Sequence, residues 1–543
     1  MVAALTAAHH GLSTVVVEKA PHYGGSTARS GGGVWIPNNE VLRRAGVSDT
    51  PEAARTYLHG IVGDVVPAEK IDTYLQRGPE MLSFVLANSP LKLCWVPNYS
   101  DYYPETPGGR AGGRSVEPKP FDAKKLGADL PGLEPPYGKV PMNMVVLQQD
   151  YVRLNQLKRH PRGLLRSLKV GARTMWANAT GKHLVGMGRA LIAPLRMALR
   201  DAGVPVLLNT ELTDLYVEDS VVRGIYVRDT NAPEDAEPRL IQARRGVILC
   251  SGGFEHNEAM RHKYQRAPIT TDWTVGAVAN TGDGIVAAEK LGAALELMED
   301  AWWGPTVPLE GAPWFALSER NSPGSIIVNA SAKRFMNESM PYVEACHHMY
   351  GGTYGQGDGP GENIPAWLIF DQQYRDRYIF GGLQPGQRIP KKWTESGVIV
   401  TAGTLDELAT ATGLPAGALH ATVERFNGFA ETGVDEDFHR GESAYDRYYG
   451  DPTVKPNPNL GKIGHPPYYA AKMVPGDLGT KGGVRTDVYG RALRDDDTVI
   501  DGLYAAGNVS SPVMGHTYPG PGGTIGPAMT FGYLAALHAA GKA

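Results

Sequence analysis

Short apolar strands that run straight into glycine-rich turns recur along the 543-residue chain, and they restrict its fold more than any other feature. Without a Cβ, a glycine lets backbone N–H groups approach a bound anion closely. The first such unit is Ser13 to Glu18 ("STVVVE") followed by Gly24 to Gly33 ("GGSTARSGGG"). The second is "RRGVILCSGGF", with Gly252 and Gly253, followed by the turn "NTGDG", which carries Asn280 and Asp283. The third closes the chain as strand, long glycine loop and helix ("GLYAAGN…YPGPGGTIGPAMTFGYLAALHAAG"). The 67 glycines exceed what loops alone usually need, which suits repeated close approach of backbone to a ligand. Strands alternating with helices in this way indicate an α/β protein.

Each unit offers particular contacts. Glu18 closes the valine strand where an acidic residue accepts hydrogen bonds from an adenosine ribose, although a solvated strand end is an equal reading. Gly24, Gly25, Ser26, Thr27, Ser30, Gly31, Gly32 and Gly33 offer N–H and O–H donors along a diphosphate and ribityl chain, with a flexible linker as the bland alternative. Gly507 and Asn508 end the last strand. Gly523, Thr524 and Ile525 open the final helix, whose N-terminal dipole favours negative charge on a reduced isoalloxazine ring.

Met1 to His10 reads as a small-residue helix stopped by Gly11 and leading into a buried strand over Ser13 to Glu18. In a dinucleotide-binding βαβ unit such a helix follows a strand and a phosphate turn. The expectation is therefore a chain that starts inside the helix and lacks that first strand. The net charge of -4 gives no general attraction to nucleic acid. Three widely spaced cysteines fit a reduced compartment, and no apolar run is long enough to cross a membrane, so a cytoplasmic protein is expected. About 50–90 reads as helical, about 96–145 as an ordered Pro/Gly/Tyr-rich loop, and 204–229 as a small β-meander. Residues 151–200 read as helical and contain eleven Lys or Arg and no Asp or Glu. About 303–479 is aromatic-rich with few long strands, and reads as a second domain.

Few other motifs carry chemistry. "ACHHM" (Ala345 to Met349) looks like metal ligands, but adjacent residues cannot all face one ion, and no metal is expected. HExxH, CxxC and Walker patterns are absent. What remains is tyrosine in Pro/Gly-rich loops: Tyr102 and Tyr103 in "YSDYYPE", Tyr342 in "NESMPYVE" and Tyr518 in "HTYPGPGG". One buried tyrosine is ordinary core; several in such loops form a constellation.

On "VVVEKAPHYGGSTARSGGGVWIP", "SDYYPE", "RFMNESMPY", "DLGTKGG", "GLYAAGN" and "YPGPGG", the chain resembles the 3-ketosteroid Δ1-dehydrogenases, flavoproteins related to fumarate reductase flavin subunits. The resemblance covers nearly the whole chain. It implies FAD, a 3-ketosteroid such as 4-androstene-3,17-dione, and a quinone-type electron acceptor. It also implies an α/β fold in which a Rossmann-like FAD-binding domain, built from both chain ends (1–302 and 480–543), receives an inserted α+β steroid-binding catalytic domain (303–479). By the same resemblance Tyr518 and the Gly522 N–H hold the 3-keto oxygen. Tyr342, beside Tyr102, takes the proton from carbon 2, and flavin takes hydride from carbon 1. A neighbouring phenol and a helix N-terminus are expected to ease ionisation of the tyrosine base. A 4,5-desaturating sister activity, another fumarate reductase-like FAD dehydrogenase and a non-catalytic steroid-binding remnant are the alternatives. Residues 151–200, with Trp176, are read either as a helical pair packed on the FAD domain or at a subunit interface, with solvated arginines, or as a peripheral contact with an anionic membrane.

Overall fold

The computed structural model describes residues 1–137, 144–156, 159–233, 235–356 and 361–543. Its two chain ends meet. The small-residue helix Val2–His9 lies against the last helix, Ile525–Ala539, with Ala3 and Ala7 packed on Ala536. Alanines allow this close approach without loss of helix propensity. Gly11, at φ +79°, turns the chain out of the first helix.

The strand that follows is shorter and less covered than its valines suggest. Val16–Val17 pairs in parallel with Val206–Leu207, and both lie only half-buried, with Val15 exposed. The expected buried strand over Ser13 to Glu18 is thus corrected. Among the described residues it has a ladder on one side only, so two residues suffice to pair it. The second and third strand–glycine units are direct neighbours. Val247–Leu249 runs parallel to Val499–Ala505, with Val247 opposite Leu503, and both strands therefore deliver their glycines to the same end of one sheet. The expected meander is present as Thr210–Glu218, Val221–Asp229 and Arg239–Gln242.

A six-stranded antiparallel sheet is drawn from 301–480. Its spine is Tyr468–Thr480, thirteen residues long, which pairs with Ala301–Val307, Ala366–Asp371 and Ile399–Ala402. The expectation of few long strands in this region fails here. "YYAAKMVPGDLGT" mixes Lys, Pro, Gly and Asp into the run, which hides the period-2 pattern, yet nearly every position is buried by partners on both edges.

The helices expected over 50–90 are Pro51–Val62 and Ala68–Ala87. Thr50 caps the first by accepting the Ala53 N–H at 3.1 Å, and Pro51 occupies its first turn. Within 96–145, Ser115–Pro118 forms a strand between Val34–Trp35 and Leu93–Trp95; part of that stretch, 138–143, lies outside the described residues. The basic segment comprises Gln148–Leu154, Pro161–Ala179 and Met187–Asp201.

Candidate active site

The glycine loop before the last helix is clamped against the first glycine turn, backbone to backbone. Gly522 has φ +99°, and a Cβ there would collide with the Gly33 carbonyl and the Val34 nitrogen. The Trp35 N–H donates to the Gly522 carbonyl at 3.2 Å. Gly522 must be glycine because nothing larger fits between the two backbones, whereas a Cβ on Gly33 would meet the Pro521 carbonyl oxygen at a tight 3.3 Å. The loop is fastened further along. The Pro519 carbonyl accepts from the Tyr57 hydroxyl at 2.6 Å and from the Tyr102 N–H at 3.0 Å, while Ser115 donates to the Pro521 carbonyl at 2.6 Å. Beneath it, the Trp35 indole donates to Asp101 at 2.9 Å, and the fully buried Arg114 pairs with Asp101 and Asp49.

That scaffold brings three of the four loop tyrosines together. Tyr342 opens the helix Tyr342–Tyr350, where Pro341 cannot continue a helix backwards and so fixes its start. The Tyr102 hydroxyl donates to the Tyr342 oxygen at 3.1 Å. The Tyr518 ring stacks on Tyr102 at 5.2 Å and 18°, and lies 5.4 Å from Tyr342. Its hydroxyl accepts from Thr524 at 3.2 Å. Phe315 and Trp302 close the cluster edge-on, 5.2 Å from Tyr342 and 5.0 Å from Tyr518. Such aromatic contacts each add roughly 0.5–1.5 kcal/mol beyond area burial. Tyr103 stands apart. Its hydroxyl donates to Glu344 and accepts the Tyr518 N–H at 3.4 Å, so it supports the backbone of the loop.

Burial dominates the ionisation of these phenols. It pushes Tyr342 well above the ordinary tyrosine value, with the nearby Tyr518 adding to the rise and the hydrogen bond from Tyr102 opposing it. Tyr518 is also raised by burial, against hydrogen bonds with Thr524, Tyr342 and the Gly522 amide. The neighbouring phenol helps, but desolvation outweighs it.

The residues read as cofactor contacts are tied to one another to different degrees. Ser26 accepts from the Ala277 N–H at 2.9 Å and from the Asn280 amide at 3.1 Å, joining the first glycine turn to the "NTGDG" turn. Lys19 joins the same two segments through an ion pair to Asp283 at 2.6 Å. Gly252, at φ +77°, lies where a Cβ would strike the Asn280 side chain, and Gly253 lies against Thr480. Gly507 has φ +85°, and the Asn508 oxygen accepts from the Trp302 indole at 3.1 Å. A Cβ built on Gly25 meets nothing within 4 Å, so room remains beside its backbone. Other contacts turn inward. Glu18 accepts the Ala20 N–H at 2.9 Å, and Ser30 donates to the Thr27 carbonyl while accepting the Gly32 N–H. Gly24, with φ +117°, packs on Ala28 and Ile192, and Gly31 abuts the Gln148 amide. Gly25–Arg29 is a short helix, which rules out the flexible linker. Gly523 turns the chain against Pro519, and Thr524 and Ile525 present first-turn N–H groups that have no intrahelical partner. Positive-φ glycines, hydroxyl groups and a helix N-terminus are the kinds of group that fit a dinucleotide with a diphosphate.

Sequence reasoning passed over the charged groups behind the phenols. Glu255, two residues after Gly253, accepts from the Asn280 amide at 2.6 Å, and burial pushes its carboxyl up to about 7. Asp300 collects His347, His516, Lys481 and Trp303. His347 belongs to the "ACHHM" stretch. Among the described residues no group of His, Cys, Asp or Glu could hold a metal ion. No sequence signal links those five residues, which lie as much as 216 positions apart.

Comparison with known proteins places this geometry. The FAD binding domain family matches residues 1–525. The chain is 85% identical over its full length, and over 95% of the relative's length, to the 3-oxosteroid 1-dehydrogenase of Mycolicibacterium smegmatis. The crystal structure of the 3-ketosteroid Δ1-dehydrogenase of Sterolibacterium denitrificans, in complex with 1,4-androstadiene-3,17-dione, superposes with a TM-score of 0.93 at 40% identity, covering 100% of this chain and 97% of that one. A flavocytochrome c3 fumarate reductase shares the fold, with a TM-score of 0.63 at 21% identity, over 100% of this chain and 76% of that one.

Proposed function

The chain belongs to the FAD-dependent 3-oxosteroid 1-dehydrogenases, and from that premise we propose that Tyr342, Tyr102, Tyr518 and Gly522 form the site at which it desaturates ring A of a 3-ketosteroid. The observation that carries this reading is the convergence of three buried phenols on the Gly522 loop, with Tyr102 and Tyr342 3.1 Å apart. The 4,5-desaturating and non-catalytic alternatives give way to the full-length match with a 1-dehydrogenase.

The Tyr518 O–H and the Gly522 N–H hold the 3-keto oxygen and favour its enolate, as donors aimed at developing charge in a dry site. Thr524 already fills one acceptor position on the Tyr518 oxygen, which leaves the Tyr518 proton free to point at the ketone. Tyr342 takes the proton from carbon 2, and the Tyr102 O–H stabilises the phenolate that does so. Bound FAD supplies a two-electron acceptor for the hydride from carbon 1. Phe315 and Trp302 give the flat apolar steroid a wall and exclude water. Glu18, Gly24, Gly25, Ser26, Thr27, Ser30 and Gly31 to Gly33 would hold the adenosine and diphosphate side. Gly252, Gly253, Asn280, Asp283, Gly507, Asn508 and the Gly523 to Ile525 helix start would hold the flavin side. The parallel pairing of Val247–Leu249 with Val499–Ala505 supports a Rossmann-like FAD domain from 1–302 and 480–543. The six-stranded sheet over 301–480 supports a steroid domain at 303–479.

Substrate and acceptor both favour a lipid surface, since the steroid and a quinone acceptor partition into lipid. No helix of the described residues is long and apolar enough to cross a membrane. Helix Pro161–Ala179, however, is turned inside out. It buries Gly163, Val170, Thr174 and Ala177 and exposes Leu165 at 66%, Leu168 at 60%, Met175 at 73% and Trp176 at 53%. Arg162 and Lys169 flank that stripe without a carboxylate partner among the described residues, and Lys182 lies 3.9 Å over the Trp176 ring. Arg166 and Arg173 do not face outward as the membrane reading expects, because both pair with the buried Asp150. The lipid contact in this reading is therefore one helix face, not all of 151–200.

Anaerobic mixing of the FAD-loaded protein with 4-androstene-3,17-dione tests the site. Flavin absorbance should bleach as the 1,4-diene forms, and a substrate deuterated at carbon 2 should lose its label to water. Bleaching that proceeds undiminished in Tyr342→Phe would remove Tyr342 from the base role. Co-sedimentation with phosphatidylglycerol vesicles, lost at high salt and weak with phosphatidylcholine, tests the helix face.

A further inference from the structure

Asp300 sits fully buried where four segments meet, and nothing in the reaction described above uses it. Its Oδ1 accepts from the Trp303 indole at 2.7 Å and lies 3.3 Å from His347 Nε2. Its Oδ2 accepts from Lys481 at 3.0 Å and lies 3.0 Å from His516 Nδ1. Burial raises the carboxyl, but the Lys481 charge and the two histidine contacts outweigh it and hold Asp300 well below the usual carboxylate range. An ionised carboxylate only accepts, so both imidazoles present an N–H to it.

The positions of those partners matter more than their number. His347 lies on the helix that Tyr342 opens, and His516 lies two residues before Tyr518. Lys481 also donates to the His516 carbonyl at 2.7 Å, so that residue is held by side chain and backbone alike. The Lys481 ammonium lies 4.8 Å over the Trp302 ring, whose edge packs on Tyr518.

We propose that Asp300 is a positioning residue for this reaction: through His347 and His516 it fixes the spacing between the helix start that carries Tyr342 and the loop that carries Tyr518. This rests on the site reading given above. A base on one segment must reach carbon 2 while a donor on another keeps the ketone oxygen. A shift of about 1 Å between such groups can cost on the order of 10²-fold in rate. Asp300 is a carboxylate to which both segments' histidines bond, while the Tyr354 ring packs on both, 5.8 Å from His347 and 4.3 Å from His516, without a directional bond to either. Apolar packing could hold the two segments together as stably, but it would not define their relative position through directional bonds.

The test compares Asp300→Asn, His516→Gln, Tyr518→Phe and the Asp300→Asn/Tyr518→Phe double variant, each loaded with FAD and assayed well below its melting temperature. Asp300→Asn should lower kcat by about 10- to 100-fold, with KM and flavin content changed by less than about threefold. It should also slow deuterium exchange at carbon 2. Adding it to Tyr518→Phe should cost less than about threefold more, because two changes acting through one loop are not additive. If Asp300→Asn fails to hold FAD, His516→Gln, which keeps the Asp300–Lys481 pair, carries the test with an expected loss of about tenfold. Full additivity in the double variant, or wild-type kcat in both Asp300→Asn and His516→Gln while Tyr518→Phe is impaired, would overturn the positioning role. Wild-type turnover in Tyr518→Phe itself would instead overturn the site reading.

Discussion

The phenol cluster and the helix Pro161–Ala179 use similar side chains in opposite ways. In the cluster, Tyr102, Tyr342 and Tyr518 are buried to their hydroxyls, so every polar atom must find a protein or ligand partner. On the helix, the small residues face the protein while Leu164, Leu165, Leu168, Met175 and Trp176 face outward. In the cluster, desolvation raises each phenol. The helix leaves large apolar residues at least half exposed. Hydrophobicity at helical spacing therefore says that a helix has two faces and leaves open which one is inside.

If this contrast is right, substitutions in the cluster should affect chemistry far more than stability, and those on the helix face should affect neither. The largest effect is expected for Tyr342→Phe. Loss of a positioned proton acceptor should lower kcat by about 10²–10⁴-fold while a 3-ketosteroid still binds, measured by stopped-flow flavin reduction and equilibrium titration. Tyr518→Phe should follow, at about 10²–10³-fold in kcat/KM, because its O–H serves the ketone in ground and transition states alike.

Gly522→Ala comes next and separates geometry from chemistry. It adds no charge and removes no hydroxyl, but its φ of +99° and its seat on Gly33 leave no room for a methyl group. Backbone strain of about 1–3 kcal/mol should appear as a lower melting temperature together with lost turnover. The pH dependence has a definite sign. Tyr342 is raised above its ordinary value, so its phenolate fraction is small at neutral pH and grows with pH. Single-turnover flavin reduction should therefore accelerate from neutral into alkaline conditions, and a rate that falls over that range would mean a different base. The smallest effect is expected for Leu165→Gln with Trp176→Gln. Stability should stay within about 0.5 kcal/mol, because neither side chain is buried, while binding to anionic vesicles is lost.

Much of the proposed site is legible in the sequence as residues whose segments the structure brings into contact. Ser26, Asn280 and Asp283 stand in quoted glycine turns, and the structure joins those turns through the Ser26–Asn280 hydrogen bond and the Lys19–Asp283 pair. Tyr102, Tyr342 and Tyr518 stand in Pro/Gly-rich loops, and the structure brings them into ring contact. The strand over Ser13 to Glu18 was misjudged because a valine run reports β-propensity and not how many neighbours a strand will have. The spine Tyr468–Thr480 was missed because cross-strand partners, not its own alternation, bury it.

The sequence by itself placed glycines where two backbone segments touch, as at Gly522 against Gly33, and that constraint is local. It also determined which residue types stand in those loops. Only the tertiary structure decided that Asp300 would collect histidines from two distant segments, that Arg166 and Arg173 would turn inward to Asp150, and that burial would raise Tyr342 in spite of Tyr102. Those outcomes depend on desolvation and on charge separations through space, and both are set by packing between segments that no spacing along the chain encodes.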